Sequence, residues 1–387
     1  MIKNPIILIA ILFSVEFFIL FISSRKTFEK YFHFLPSVFW IYFIPMLLST
    51  AGLIDNKSDI YKTITDLLLP MSLVILLLSA NIKAILRLGP SALIMMLAGS
   101  LGIMVGIPFA FWCVKNLVGS QMWAGFGALS ASWTGGSANM IAVKEALNTP
   151  DAVFSPMVIV DTIVPYVWMG LLVALVAFQP IYDKWNKSRR DILDELNARI
   201  DKTKSNPQRI TLLSLCLIIG IGLIGSVIAK FGSNYLPNIK GIISQYTWVI
   251  IIASGLGIAL SFTPARKLET FHASKIGYYI LYFVLTTIGA KASLSNIGST
   301  AILIGAGFIA MFVHLIFLLI TARILRAPMF LVATASQANV GGVASAPVVA
   351  ALYEPELASV GLLLAIFGNI VGTYIGIITG YVCKIIS

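Results

Sequence analysis

The sequence predicts an all-α polytopic membrane protein of about 12 transmembrane segments in two structural repeats, each containing a discontinuous helix broken at a Gly-Gly pair. Three observations carry this prediction. Of 387 residues, 58% are hydrophobic and only 11% charged, with a mean hydropathy of +0.94, which lies outside the range of soluble domains. Apolar runs of roughly 17–25 residues, each long enough to cross a hydrocarbon core of about 30 Å, follow one another along the whole chain. Two polar, glycine-paired blocks recur at matched places in its two halves.

The runs fall at about 5–22, 36–54, 62–80, 90–113, 121–147, 153–179, 210–230, 242–263, 274–290, 299–323, 329–352 and 358–384. Behind the first run, Ser23-Ser24 leads straight into Arg25-Lys26 without a small-residue cleavage site, so it reads as a retained helix and not a signal peptide. The first repeat is 1–180 and the second 210–387. The linker 181–209 contains "YDKWNKSRRDILDELNARIDKTKSNPQR" and spaces Ile192, Leu193, Leu196 and Ile200 at helical intervals, as an amphipathic helix does.

The net charge of +11 does not point to nucleic acid, because its basic residues are scattered over loops and form no stripe for phosphate tracking. The positive-inside rule accounts for them better. With twelve crossings and a cytoplasmic amino terminus, 18 of the 27 Lys and Arg residues lie inside and 9 outside. The expected location is a bacterial cytoplasmic (inner) membrane, with the amino terminus and the linker in the cytoplasm. Cys113, Cys216 and Cys383 are far apart in sequence and show neither disulfide nor metal spacing.

The repeats appear as two matched blocks. "AILRLGPSALIM" (84–95) aligns with "SLSNIGSTAILI" (293–304), Gly89 over Gly298; "SASWTGGSANM" (130–140) aligns with "SQANVGGVASA" (336–346), Gly135-Gly136 over Gly341-Gly342. Twelve crossings would make these halves parallel, whereas an inverted repeat needs an odd number in each half. A run that re-enters or otherwise fails to span leaves inversion open.

Non-helical backbone survives in hydrocarbon only where it is buried or lines a wet cavity. The mid-segment glycine pairs therefore read as two helix breaks. Such breaks present amino-terminal ends that suit anions and carbonyl ends that suit cations. Ser130, Ser132, Thr134, Ser137 and Asn139 flank the first pair, and Ser336, Gln337, Asn339 and Ser345 the second. Close packing of small residues is the competing reading, but it accounts poorly for Asn139, Gln337 and Asn339, which are costly in lipid unless paired.

Among intramembrane ionisable residues, Asp161 in "VIVDTIVPYV", with Thr162 beside it, is the candidate cation ligand or proton carrier. Asn369 in "FGNIVG" holds the comparable place in the second half. Glu16 suits a packing or oligomer contact equally well. Lys144 and Glu145 pair locally or meet the solute's charge. His314 reads as a satisfied core residue, and Lys291 as a snorkelling one.

"SWTGGSANM", "VKEAL", "VDTIVPYVWMG", "IGAKASL" and "SQANVGGVASAPVVAAL" together resemble the YjcL-like membrane proteins, known as domain of unknown function 819. That family is grouped with the cation:proton antiporter and anion transporter superfamily. The resemblance implies inverted repeats, two discontinuous helices crossing near the midplane from 132–139 and 338–345, and a core domain moving against a panel domain. It also implies Asp161 as the acidic cation ligand. The paired aspartates of proton antiporters are absent, which favours solute symport or facilitated export.

The expected function is secondary active transport of a small polar organic solute by alternating access. The coupling ion is sodium or a proton, with Asp161, Asn139 and Asn339 as possible sodium ligands and no other cofactor. The chain has no G-x-x-x-x-G-K-[ST] loop for ATP. It has no H-E-x-x-H or paired-acid signature, so an enzyme is not expected. A channel or solute-sensing receptor on the same scaffold is the alternative. The expected partners are the solute and membrane lipid; a homodimer through aromatic faces such as "VFWIYFIPM" is open, since lipid covers such a face equally well.

Overall fold

In a computed structural model, every regular element among the described residues is a helix, apart from one isolated bridge between Ile2 and Ile54. The structure describes residues 1–28, 31–32, 37–189, 191–199, 208–237, 245–291, 300–354 and 357–387. In chain order the α-helices of eight or more residues are α1 (Pro5–Ser23), α2 (Ser37–Thr50), α3 (Asp59–Leu78), α4 (Pro90–Val118), α5 (Trp123–Gly135), α6 (Ser137–Ala146), α7 (Asp151–Ala174) and α8 (Gln179–Asn186). There follow α9 (Asp191–Arg199), α10 (Leu212–Ser233), α11 (Gln245–Ser261), α12 (Ala273–Lys291), α13 (Thr300–Leu325), α14 (Met329–Val340), α15 (Gly342–Tyr353) and α16 (Ala358–Ile386). The linker forms α9 with Ile192 and Leu196 buried; Ile200, and residues 293–299 of the first repeat block with Gly298, lie outside the described residues.

Seven helices among the described residues are long and apolar enough to cross a membrane; an eighth is possible if α11 and the turn Pro264–Phe271, bent by 92°, count as one. The expectation of twelve is thereby reduced. Hydropathy scored the 121–147 and 329–352 runs as spans, but each is two half-length helices, and α2 has only 14 residues. The chain is an integral membrane protein with several apolar helices.

The chain forms two compact units that each draw on both sequence halves. The first comprises Met1–Ser79, Thr149–Thr162 and Pro207–Thr300. Asn4 caps α1 by accepting from Ile6 N and Ile7 N, which satisfies two amides the helix cannot. Leu8, Leu12, Glu16 and Ile19 form its buried stripe, the spacing a helix face requires. Helix α3 is the hub: Val74 packs with Ala229 and Ala253 of α10 and α11, and Ile75 with Ile218 and Ala273 of α10 and α12.

The second unit comprises Ala80–Asn148, Ile163–Asn206 and Ala301–Ser387. Its axis is α16, whose Gly368, Gly372, Gly376 and Gly380 recur every four residues and so line one face. Cβ atoms at Gly372, Gly376 and Gly380 would meet, in order, Gly135 with Asn139, Ala131 with Val143, and Gly127 with Leu147. Those pairs close in from both sides of Gly136, so α5 and α6 are antiparallel. Gly127 and Leu147 would lie ~30 Å apart along a straight helix at about 1.5 Å per residue; instead Leu147 Cδ1 is 2.7 Å from where a Gly127 Cβ would stand. The first broken helix is a hairpin laid along the glycine ladder.

The second break folds back too, as α8 shows from its base. Within one turn of α8, Asp183 Oδ1 accepts from Met329 N at the start of α14 (2.9 Å), while Gln179 Nε2 donates to Glu354 Oε1 at the end of α15 (3.3 Å). Asn186, buried, donates to Ala327 O at 2.8 Å, and Tyr353 Oη to Leu172 O at 2.6 Å.

Candidate functional site

The two hairpin tips meet. Thr134 O of the first tip lies against Gly368 of α16, a Gly368 Cβ would stand 2.9 Å from Met96 Cε of α4, and Asn339 Nδ2 of the second tip donates to Met96 O at 3.2 Å. Within each glycine pair the two residues have different tasks. Gly135 and Gly341 are packing positions: a Cβ on Gly135 would reach Gly368 O at 2.7 Å, and one on Gly341 would strike Gln337 and Ser345. Gly136 (φ +79°) and Gly342 (φ +65°) hold the left-handed backbone that starts the returning helix, which side chains resist. They face open space: a Cβ at Gly342 would have nothing within 4 Å, and one at Gly136 only Asn369 Oδ1 at 3.7 Å.

The two asparagines are clamps. Asn139 Nδ2 donates to Gly135 O (2.5 Å) and Asn369 O (3.3 Å), and its Oδ1 accepts from the Thr373 hydroxyl. Asn339 Nδ2 donates to Ala335 O (2.9 Å) and Met96 O, and its Oδ1 accepts from Ser100 Oγ (2.7 Å). Asn339 thus bonds its own helix four residues back, Asn139 reaches four residues back across the break to the end of α5, and each grips residues i and i+4 of a neighbour, α4 or α16. Each oxygen accepts one of its two possible hydrogen bonds, so both asparagines, expected as sodium ligands, also hold the tips in place. Among the described residues no group of three His, Cys, Asp or Glu is placed to hold a metal, and the three cysteines are free.

The remaining candidates divide. Thr134, Ser137, Gln337, Ser345 and Asn369 join the glycines at the tips; Gln337 Nε2 donates to Ser345 Oγ at 2.7 Å across the second break. Ser132 is buried on α5, its carbonyl accepting from Gly136 N. Ser130 lies deeper, bonded to Thr379 at 3.1 Å. Asp161, half-buried, and Thr162, whose hydroxyl donates to Val158 O at 2.8 Å, belong to the first unit. Lys144 is buried and pairs with Glu145 at 2.8 Å, seven residues beyond Ser137 and so ~10 Å along α6. Three buried polar atoms near the tips have no hydrogen-bond partner: Trp133 Nε1, Thr134 Oγ1 and Gln337 Oε1; Thr334 Oγ1, also without one, lies ~10 Å further along α14. A buried polar group without a partner costs about 1–3 kcal/mol, so it marks either strain or a place for a ligand.

Ser336 serves α14's anchorage. His314 of α13 is fully buried; its Nδ1–H donates to Gly99 O of α4 (2.8 Å), since a carbonyl only accepts, and Nε2 then accepts from Ser336 Oγ (2.9 Å). Ser336 Oγ accepts in turn from Trp168 Nε1 (2.8 Å). His314→Leu and Ser336→Ala should each lower the melting temperature of the detergent-purified protein. Their double-mutant cycle should show a coupling above about 0.5 kcal/mol, as contacting residues in one network do; additivity would exclude the network. Sequence reasoning missed Met96, Ser100 and Thr373, whose partners lie far along the chain. It also passed over the four-residue glycine period of 368–380, which was legible.

Glycine-tipped helical hairpins buried in one unit of a polytopic helical membrane protein define the class, a membrane protein with a polar centre built from backbone. The chain belongs to the family described as "Protein of unknown function (DUF819)", whose profile matches residues 10–386. It is 24% identical over 352 residues to "Uncharacterized membrane protein YjcL" of Bacillus subtilis (strain 168), covering 87% of this chain and 86% of that relative.

Proposed function

We propose that this chain is a secondary active transporter that carries a small polar organic solute by alternating access, the two hairpin tips forming the solute site. One observation carries the reading: two glycine-tipped hairpins converge at Met96 and Gly368, beside open space and unpartnered buried polar atoms. Irregular backbone at membrane depth is tolerated where it lines such a site.

If both hairpins re-enter and every other apolar run crosses, the 14-residue α2 included, each half crosses five times, and the halves are inverted as the resemblance implies. The amino terminus and linker then lie on opposite faces, in place of the shared cytoplasmic face expected from twelve crossings. This arrangement also puts 18 of the 27 Lys and Arg residues on the linker's side, now with Arg25, Lys26, Lys83 and Arg87 among them. In a background lacking Cys113, Cys216 and Cys383, single cysteines at Lys3 and Ser188 should label from opposite faces of right-side-out vesicles. Labelling from one face would restore an even number of crossings.

Sodium or a proton is the co-substrate in this reading, with Asp161 as its acidic group. Uptake into proteoliposomes should respond to a sodium or pH gradient in the parent and lose that response in Asp161→Asn. Gradient-driven flux that persists in the variant would remove Asp161 from coupling. Saturable counterflow separates a carrier from a channel or receptor on the same scaffold.

A further inference from the structure

We propose that the tips recognise a small amino- or hydroxy-carboxylate, its carboxylate held by the amino-terminal amides of α6 and α15 and its donor group by Gln337 Oε1. The inference deepens the transporter reading and rests on it for the location of the site. Helices α6 and α15 have ten and twelve residues and start at the two left-handed glycines. The first amides of a helix have no intrahelical acceptor, and the end carries about half a positive charge. Beside Gly136 and Gly342 there is room where a side chain would otherwise stand.

The second observation is Gln337. It is 1% exposed, its amide nitrogen is spent on Ser345, and its Oε1 has no partner. It lies over Gly341, where an added Cβ would strike it, so this lone acceptor sits at the tip and calls for an N–H or O–H. Thr134 Oγ1 and Trp133 Nε1, both buried and unpartnered, lie in the last turn of α5. From Trp133 to Asn139 and from Asn339 to Ser345 no residue is acidic or basic. No carboxylate repels an anion there, and no Arg or Lys is present to neutralise the second charge of a phosphate. An uncharged sugar would leave both positive helix ends unused.

The test uses the full-length protein in detergent, with melting temperature and Kd measured for alanine against alaninamide, lactate against lactamide, and succinate against succinamide, plus inorganic phosphate. An acid of at least one hydroxy or amino pair should stabilise the protein where its amide does not, because only a bound ligand shifts the unfolding equilibrium. Gln337→Glu retains an acceptor, takes a reversed bridge from the Ser345 hydroxyl, and adds a carboxylate that the two positive helix ends keep ionised; it should weaken acid binding at least tenfold. Amides or phosphate binding as well as the acids, no acid binding, or unchanged affinity in Gln337→Glu would each overturn the assignment. Counterflow of a neutral solute without acid binding removes this inference but leaves the transporter. Acid binding without counterflow does the reverse.

Discussion

Gly372→Val is expected to melt several degrees below the parent and to retain less than a tenth of its counterflow. A Cβ at Gly372 would stand 2.7 Å from Gly135 Cα, 2.9 Å from Gly135 N and 3.0 Å from Asn139 Cγ. Two of these atoms are backbone and cannot rotate aside, so α16 or the hairpin must move. Overpacking of this kind costs about 1–3 kcal/mol, and the displaced part is the tip itself. Gly305→Val supplies the control: it makes the same substitution in an apolar helix, where an added Cβ meets nothing within 4 Å. Equal melting temperatures for the two variants would show that the glycine ladder does not seat the hairpin.

The second large effect is expected from Asn339→Asp. The change preserves shape but replaces an amide that donates to Ala335 O and Met96 O, at 2.9 and 3.2 Å, with an oxygen facing both. Asn339 is fully buried, and an unpaired buried charge costs several kcal/mol. Protonation restores one donor. The folded state therefore takes up a proton that the unfolded state releases near neutral pH, and stability should rise as pH falls. Asn339→Leu, with no charge to bury, should lose only about 1–3 kcal/mol and show no such pH dependence. A pH-independent Asn339→Asp variant as stable as the parent would mean that the asparagine is not a clamp.

Much of this was readable in one dimension. Gly135-Gly136 and Gly341-Gly342 stand out because paired glycines with hydroxyl and amide neighbours are costly in a continuous apolar helix, and both helices stop there. What hydropathy scored as spans in 121–147 and 329–352 are hairpins, because a windowed average registers how apolar a segment is and not whether it doubles back. The clamping role of Asn139 and Asn339 was hidden for a related reason. An amide in lipid must find partners, and the sequence does not show that Thr373 and Ser100, more than two hundred positions away, provide them.

By itself, then, the sequence determined that this chain lives in a membrane and where its helices must break, since both follow from local properties: transfer free energies along a segment and the backbone freedom of glycine. Only the tertiary structure decided that the breaks are hairpin tips brought together at Met96 and Gly368. It also decided that Asn139, Asn339 and Ser336 are anchors while Gln337 Oε1 is left unsatisfied. Those outcomes depend on which distant helix faces each side chain, and packing alone settles that.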